Sequence, residues 1–76
     1  SELQGFVTAV SEPSFTILGV TVETDGRTEY RDEQDLPITA AEFFDQLAPG
    51  RLVKAEGAEV APTTLIAEEV QFEVED

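Results

Sequence analysis

Residues 38–50 read ITAAEFFDQLAPG, and they decide the fold. Thr39 and Glu42 stand at the spacing of a capping box. The Thr39 hydroxyl can accept from the Glu42 amide, and the Glu42 carboxylate from the Thr39 amide. Ile38 before the cap and Phe43 at the fourth helical position make a hydrophobic staple. Ala40, Phe43, Phe44 and Leu47 fall at i, i+3, i+4 and i+7, one apolar stripe with Phe44 at its partly exposed margin. Pro49 and Gly50 stop the helix. At about two turns it is too short to stand alone, so its stripe must dock on a sheet.

The rest of the chain reads as strands. Residues 3–10, LQGFVTAV, alternate with Leu3, Gly5, Val7 and Ala9 on one face and Phe6, Thr8 and Val10 on the other. Both faces are partly apolar, as in a small barrel or a strand whose bulge switches faces. Gly5 marks a bend or a close approach. A turn at residues 11–14, SEPS, precedes Phe15, Thr16 and Ile17. A two-residue loop at Leu18 and Gly19 sets Ile17 opposite Val20 and Phe15 opposite Val22, all on one face. Leu is a poor first residue for a type I′ turn, so another turn type is expected there. After the polar residues 24–26, TDG, the third strand resumes over 28–31, TEYR, and residues 32–35, DEQD, form a charged loop.

Beyond the helix, residues 51–56 read as a fourth strand closed by Gly57, and 58–63 as a loop containing Pro62. Residues 65–74 read as a fifth strand. Val70, Phe72 and Val74 share one phase, while Leu65 and Ala67 lie in the other, which requires a bulge near Glu68 and Glu69. The order is therefore β-β-β-α-β-β. It predicts a mainly β domain over residues 1–76: a five-stranded OB-like Greek-key barrel with one short helix between strands 3 and 4. The alternative is an open antiparallel sheet with the helix on one face.

Two runs carry a family resemblance: GFVTAV (5–10) with SFTILGVTV (14–22), and LAPGRLVKAEG (47–57) with LIAEEV (65–70). Together they resemble the bacterial domain of unknown function 5666 over nearly the whole chain. Leu18 departs from that pattern, which has a turn-former before the glycine. The resemblance implies an extracytoplasmic setting, in a secreted or envelope-associated bacterial protein, and it brings no catalytic residues.

Seventeen Asp and Glu face four Lys and Arg, a net charge of −13. Binding to nucleic acid runs on Lys and Arg replacing phosphate counterions, so nucleic acid and anionic membranes are not expected partners. No stretch approaches the roughly 18 apolar residues of a membrane span, so direct membrane insertion is not expected. Cys, His, Met and Trp are absent. Disulfides, Cys/His zinc sites, haem axial ligation and His-activated nucleophiles are excluded, and no cofactor is expected. The lack of any Met, position 1 included, reads as a piece of a longer protein.

Few side chains are candidates for chemistry. Asp32 and Asp35 in the acidic loop have the oxygen ligands that calcium takes, but EF-hand spacing is absent, so a solvated acidic loop is the expected reading and no metal site is assigned. Arg27, Tyr30 and Arg31 are the nearest thing to a binding patch, with Tyr30 a single ring among carboxylates. Glu68 and Glu69 point to opposite faces unless a bulge intervenes, and Glu73 and Glu75 share a solvent face, so no catalytic residue is assigned. The expected function is a non-catalytic acidic module, structural or protein-interacting, whose partners are neighbouring domains or proteins. The alternative is an OB-type domain binding an oligosaccharide or a cation.

Overall fold

The computed structural model describes residues 1–75. Its elements are β1 (Glu2–Ser11), β2 (Ser14–Ile17), β3 (Val20–Glu23), β4 (Glu29–Arg31), β5 (Pro37–Ile38), α1 (Ala40–Gln46), β6 (Leu52–Ala61) and β7 (Thr64–Phe72). The protein is mainly β with one short helix. The strands form one sheet in the order β3-β2-β1-β6-β7-β4-β5, and β3 also pairs with β7. The pairings thus make a circuit, β1 to β2 to β3 to β7 to β6 and back to β1. β3 and β4 both run parallel to β7, while the remaining pairs are antiparallel.

The five expected strands are seven. The third is broken because residues 24–28 leave the ladder, and its halves pair with β7 on either side of the break. The Thr24 hydroxyl donates to the Pro13 carbonyl at 2.7 Å, and the Thr28 hydroxyl donates to the Ala67 carbonyl at 2.8 Å and accepts from the Asp25 amide at 2.9 Å. Both threonines are buried, so the excursion is fastened down. β5 is a short strand on which Ile38 pairs with Tyr30.

The helix forms as its sequence dictates. The Glu42 amide donates to the Thr39 hydroxyl at 3.0 Å, and the Thr39 amide donates to the Glu42 carboxylate at 2.8 Å. Phe43 and Leu47 are buried and Phe44 is half-buried, but Ala40 is exposed and lies off the stripe. Phe43 stacks on Phe72 with centroids 4.5 Å apart and touches Phe15 and Tyr30 at 5.9 and 5.4 Å. One helix turn thereby plugs the core of Val7, Phe15, Ile17, Val22, Val53, Val70 and Phe72.

The remaining differences from the sequence reading have local causes. Leu18 and Gly19 both take positive φ, 51° and 75°, the type I′ arrangement. Here strand twist overrides the cost of a left-handed leucine. β1 carries a bulge between Val7 and Ala9, after which Ala9 and Val10 are exposed. β6 does not stop at Gly57 but runs on to Ala61, leaving a turn of only Pro62 and Thr63. β7 ends at Phe72, so Val74 lies beyond the ladder and is 65% exposed. The register against β6 slips between Ala67 and Glu69, a bulge at Glu68. By absorbing that extra residue, the bulge keeps Leu65, Ala67, Val70 and Phe72 on one buried face.

Candidate functional site

The side chains singled out by the sequence do not meet in one place. Tyr30 and Arg31 are neighbours on β4 and so point to opposite faces. Tyr30 turns inward, its ring 5.4 Å from Phe43 and 6.2 Å from Phe44, and fills the seam between helix and sheet rather than offering a stacking platform. Arg31 turns outward into carboxylates, 3.4 Å from Glu29, 3.6 Å from Glu69 and 3.8 Å from Asp35. Arg27 lies in the excursion between β3 and β4, its amide donating to the Asp25 carboxylate at 2.8 Å. The expected patch is therefore three separate positions.

The acidic loop is organised by its own side chains. One oxygen of Asp32 accepts from the amides of Gln34 and Leu36, at 2.9 and 3.0 Å. Asp35 sits at φ 65°, and its carbonyl accepts from the Arg31 guanidinium at 3.0 Å. Glu33 turns away to pair with Arg51 at 3.0 Å. The Arg51 guanidinium lies 4.0 Å over the Phe72 ring, so this cation closes one end of the core. The Asp32 carboxylate is committed to turn geometry, and Asp32 and Asp35 are tied to β4 and β5. Among the described residues no group of three or more acidic side chains is placed to hold a metal ion.

Sequence spacing could not reveal the main feature of the outer face, because strand register creates it. Glu2 lies opposite Glu56, Glu56 opposite Glu69, and Glu69 opposite Glu29. Four glutamates thus cross the sheet in one row. Like charges directly opposite are destabilising, by a few tenths to about 1 kcal/mol per pair. The next row is Gln4, Lys54, Gln71 and Arg31. Its cations serve only part of the glutamate row: Arg31 reaches Glu29 and Glu69, and Lys54 turns to Glu73 at 3.5 Å. Among the described residues Glu2 and Glu56 form no ion pair. The Glu42 carboxyl is held below its ordinary range, through the Thr39 amide first and the Thr39 hydroxyl second.

Beside this row, the bulge at Glu68 and the excursion at residues 24–28 leave a recess of about 450 Å³. Ala58 and Ile66 lie in its floor, and Asp25, Glu29, Glu68 and Arg27 stand around it. A second outer region is neutral: Thr16 lies opposite Thr21, and Thr21 opposite Thr64.

The architecture and surface define a small, acidic, mainly β domain. A family model, Domain of unknown function (DUF5666), matches residues 4–71. The chain belongs to that family. A search of curated proteins found no match, and neither did a search of solved structures.

Proposed function

We propose that this domain is a non-catalytic interaction module, an acidic β-barrel of OB type that serves as a structural or protein-binding unit of a bacterial envelope or secreted protein. The pairing circuit of β1, β2, β3, β7 and β6, the parallel β3–β7 contact and the helix before β6 support the five-stranded Greek-key reading. β3 and β4 then count as one interrupted barrel strand. The extracytoplasmic setting rests on the family resemblance.

The observation that carries the functional reading is the glutamate row. An acidic rank that costs folding energy and is half uncompensated suits contact with a cationic protein surface. Steering by such a field acts chiefly on association rate and falls with salt.

Affinity capture from envelope and secreted extracts, at low salt and at 0.5 M salt, tests the reading. It expects a small set of basic proteins retained at low salt and released at high salt. Retention of nothing at either salt counts against it. A rise in Tm with millimolar calcium or with a glycan, in the absence of any retained protein, points instead to the ligand-binding alternative.

A further inference from the structure

The outer face of β6 changes character along its length. Leu52, Lys54 and Glu56 point outward, while Val53, Ala55 and Gly57 between them are buried. Each outward residue has a partner on β1: Leu52 lies opposite Phe6, Lys54 opposite Gln4 and Glu56 opposite Glu2. The Val7 amide donates to the Arg51 carbonyl at 2.8 Å, so the odd-numbered residues of β1 make the ladder bonds with β6. Phe6 and Leu52 are therefore a non-hydrogen-bonded pair, the kind whose side chains approach most closely. Phe6 is 53% exposed and Leu52 half-buried. One end of the face is thus an apolar pair, and its middle is polar. The other end is acidic, and Glu56 has no ion pair among the described residues.

This stretch of β6 is paired with β1 on one side and β7 on the other, and the Leu52 carbonyl accepts from the Glu73 amide at 3.0 Å. No strand can be added there. An α-helix satisfies its own backbone internally and packs on a sheet through side chains alone. Leu52 and Glu56 lie about 13 Å apart along the strand, which a helix covers in about nine residues. A helix laid along β6 with apolar residues at i and i+4 over Phe6 and Leu52 brings i+7 over Lys54 and i+11 over Glu56. All four positions share one helical face. Lys54, drawn to Glu73 at 3.5 Å, rejects a cation at i+7, while Glu56 and Glu2 select one at i+11. An anionic bilayer and a second copy of this chain fit poorly, because the net charge of −13 opposes both. The chain's own helix also has Phe43 and Leu47 buried in the core.

We infer that the outer β1–β6 face binds an amphipathic helix of a partner protein, with an apolar pair seated on Phe6 and Leu52 and a Lys or Arg on Glu56. This rests on the interaction-module reading and names the surface and the chemistry of its partner.

The test is an amide-resolved NMR titration of the protein with a capped, Ala/Gln-based helical peptide bearing Leu at i and i+4 and Lys at i+11. One control replaces that Lys by Glu, and another moves it to i+7. The Lys peptide is expected to shift residues 4–6 and 52–56 with a Kd on the order of 10⁻³ M at low salt, and each control to bind about fivefold more weakly or worse. Phe6→Thr keeps a β-former at an outward position and should weaken binding about fivefold. Glu56→Lys should do the same while relieving repulsion within the fold, so its lost binding is not lost structure. No binding, shifts confined to another face, equal response to the Lys peptide and either control, or unchanged affinity in either variant each overturns the inference. So does dimerisation, or retention on anionic vesicles, that Phe6→Thr abolishes. If this face stays silent and the extract capture succeeds, the face assignment falls and the interaction-module reading stands. If both experiments are silent, both fall.

Discussion

The β1–β2 and β6–β7 hairpins are built to one plan. Each opens with a ten-residue strand buried at its fourth and sixth positions, then exposed over its last four. Each turns in two residues, and each returning strand begins with the same alternation of half-buried and buried positions. The glycine falls differently. In β1 it is Gly5, at the fourth position, where an added Cβ would lie 2.9 Å from Leu18 Cγ. In β6 it is Gly57, at the sixth, where an added Cβ would collide with the Ile66 carbonyl oxygen and lie 2.9 Å from Ala67 Cα. One glycine makes room for a side chain that can swing into solvent, since Leu18 is 64% exposed. The other makes room for backbone, at the place where β7 bulges. The same small residue is therefore replaceable in one hairpin and structural in the other.

The harshest way to break the comparison is to insert one alanine after Glu68. The bulge already absorbs one extra residue, so a second throws Leu65 and Ala67 out of phase with Val70 and Phe72, and the bond from Thr28 to the Ala67 carbonyl is lost. Turning Leu65 and Ala67 outward and losing a buried hydrogen bond, together with the repacking, should cost about 4 kcal/mol. Chemical denaturation should find this variant unfolded or nearly so, whereas an alanine inserted after Thr8 at the β1 bulge should cost less, because Ala9 and Val10 beyond it are already exposed. Equal losses would show that the two bulges do the same job.

Gly57→Ala comes next, at about 3 kcal/mol, because backbone must move to admit the methyl group. Gly5→Ala should stay within about 1 kcal/mol, since a side-chain rotation suffices. Thermal melts of the two single variants read the contrast directly, and a Gly57→Ala protein as stable as the parent would dissolve it.

The same contrast explains what was legible in the sequence. The β2–β3 hairpin can be read because Phe15, Ile17, Val20 and Val22 alternate around a loop and pair as that pattern requires. The bulge in β7 shows as a change of apolar phase between Ala67 and Val70. The helix shows in Thr39 and Glu42, whose capping is local chemistry. The extension of β6 past Gly57 does not show, because a glycine that terminates a strand and one that admits a crossing backbone look alike in one dimension. The break between β3 and β4 is equally hidden: it depends on Thr28 finding the Ala67 carbonyl 39 residues away. The surface arrangement was the least legible part. Arg27, Tyr30 and Arg31 are close in sequence and divergent in space, while the glutamate row joins residues from four strands through register alone.

That row also distinguishes the hairpins, since it takes Glu56 and Glu69 from the second and only Glu2 from the first. Glu56→Lys places a cation opposite both Glu2 and Glu69, converting two repulsive pairs into attractive ones. A gain of about 1 kcal/mol is expected at low ionic strength, shrinking in 0.5 M salt as these exposed charges are screened. The parent should respond oppositely, its Tm rising with salt as self-repulsion is relieved. A parent Tm that is flat or falls with salt contradicts the repulsion.

The smallest effect concerns the β2–β3 turn, whose Leu18 covers Gly5 of the first hairpin. Leu18 holds φ 51°, which asparagine tolerates far better than leucine. Leu18→Asn relieves that strain but gives up the cover of Leu18 on Gly5, so the net gain should be about 0.5 kcal/mol. The informative variant is the double one. If the Leu18 side chain is what an added methyl at position 5 displaces, the small cost of Gly5→Ala in the parent should nearly vanish beside Leu18→Asn, a coupling of about 0.5 kcal/mol in a double-mutant cycle. Strict additivity would mean that Gly5 answers to the backbone, as Gly57 does, and that the two hairpins differ less than their contacts indicate.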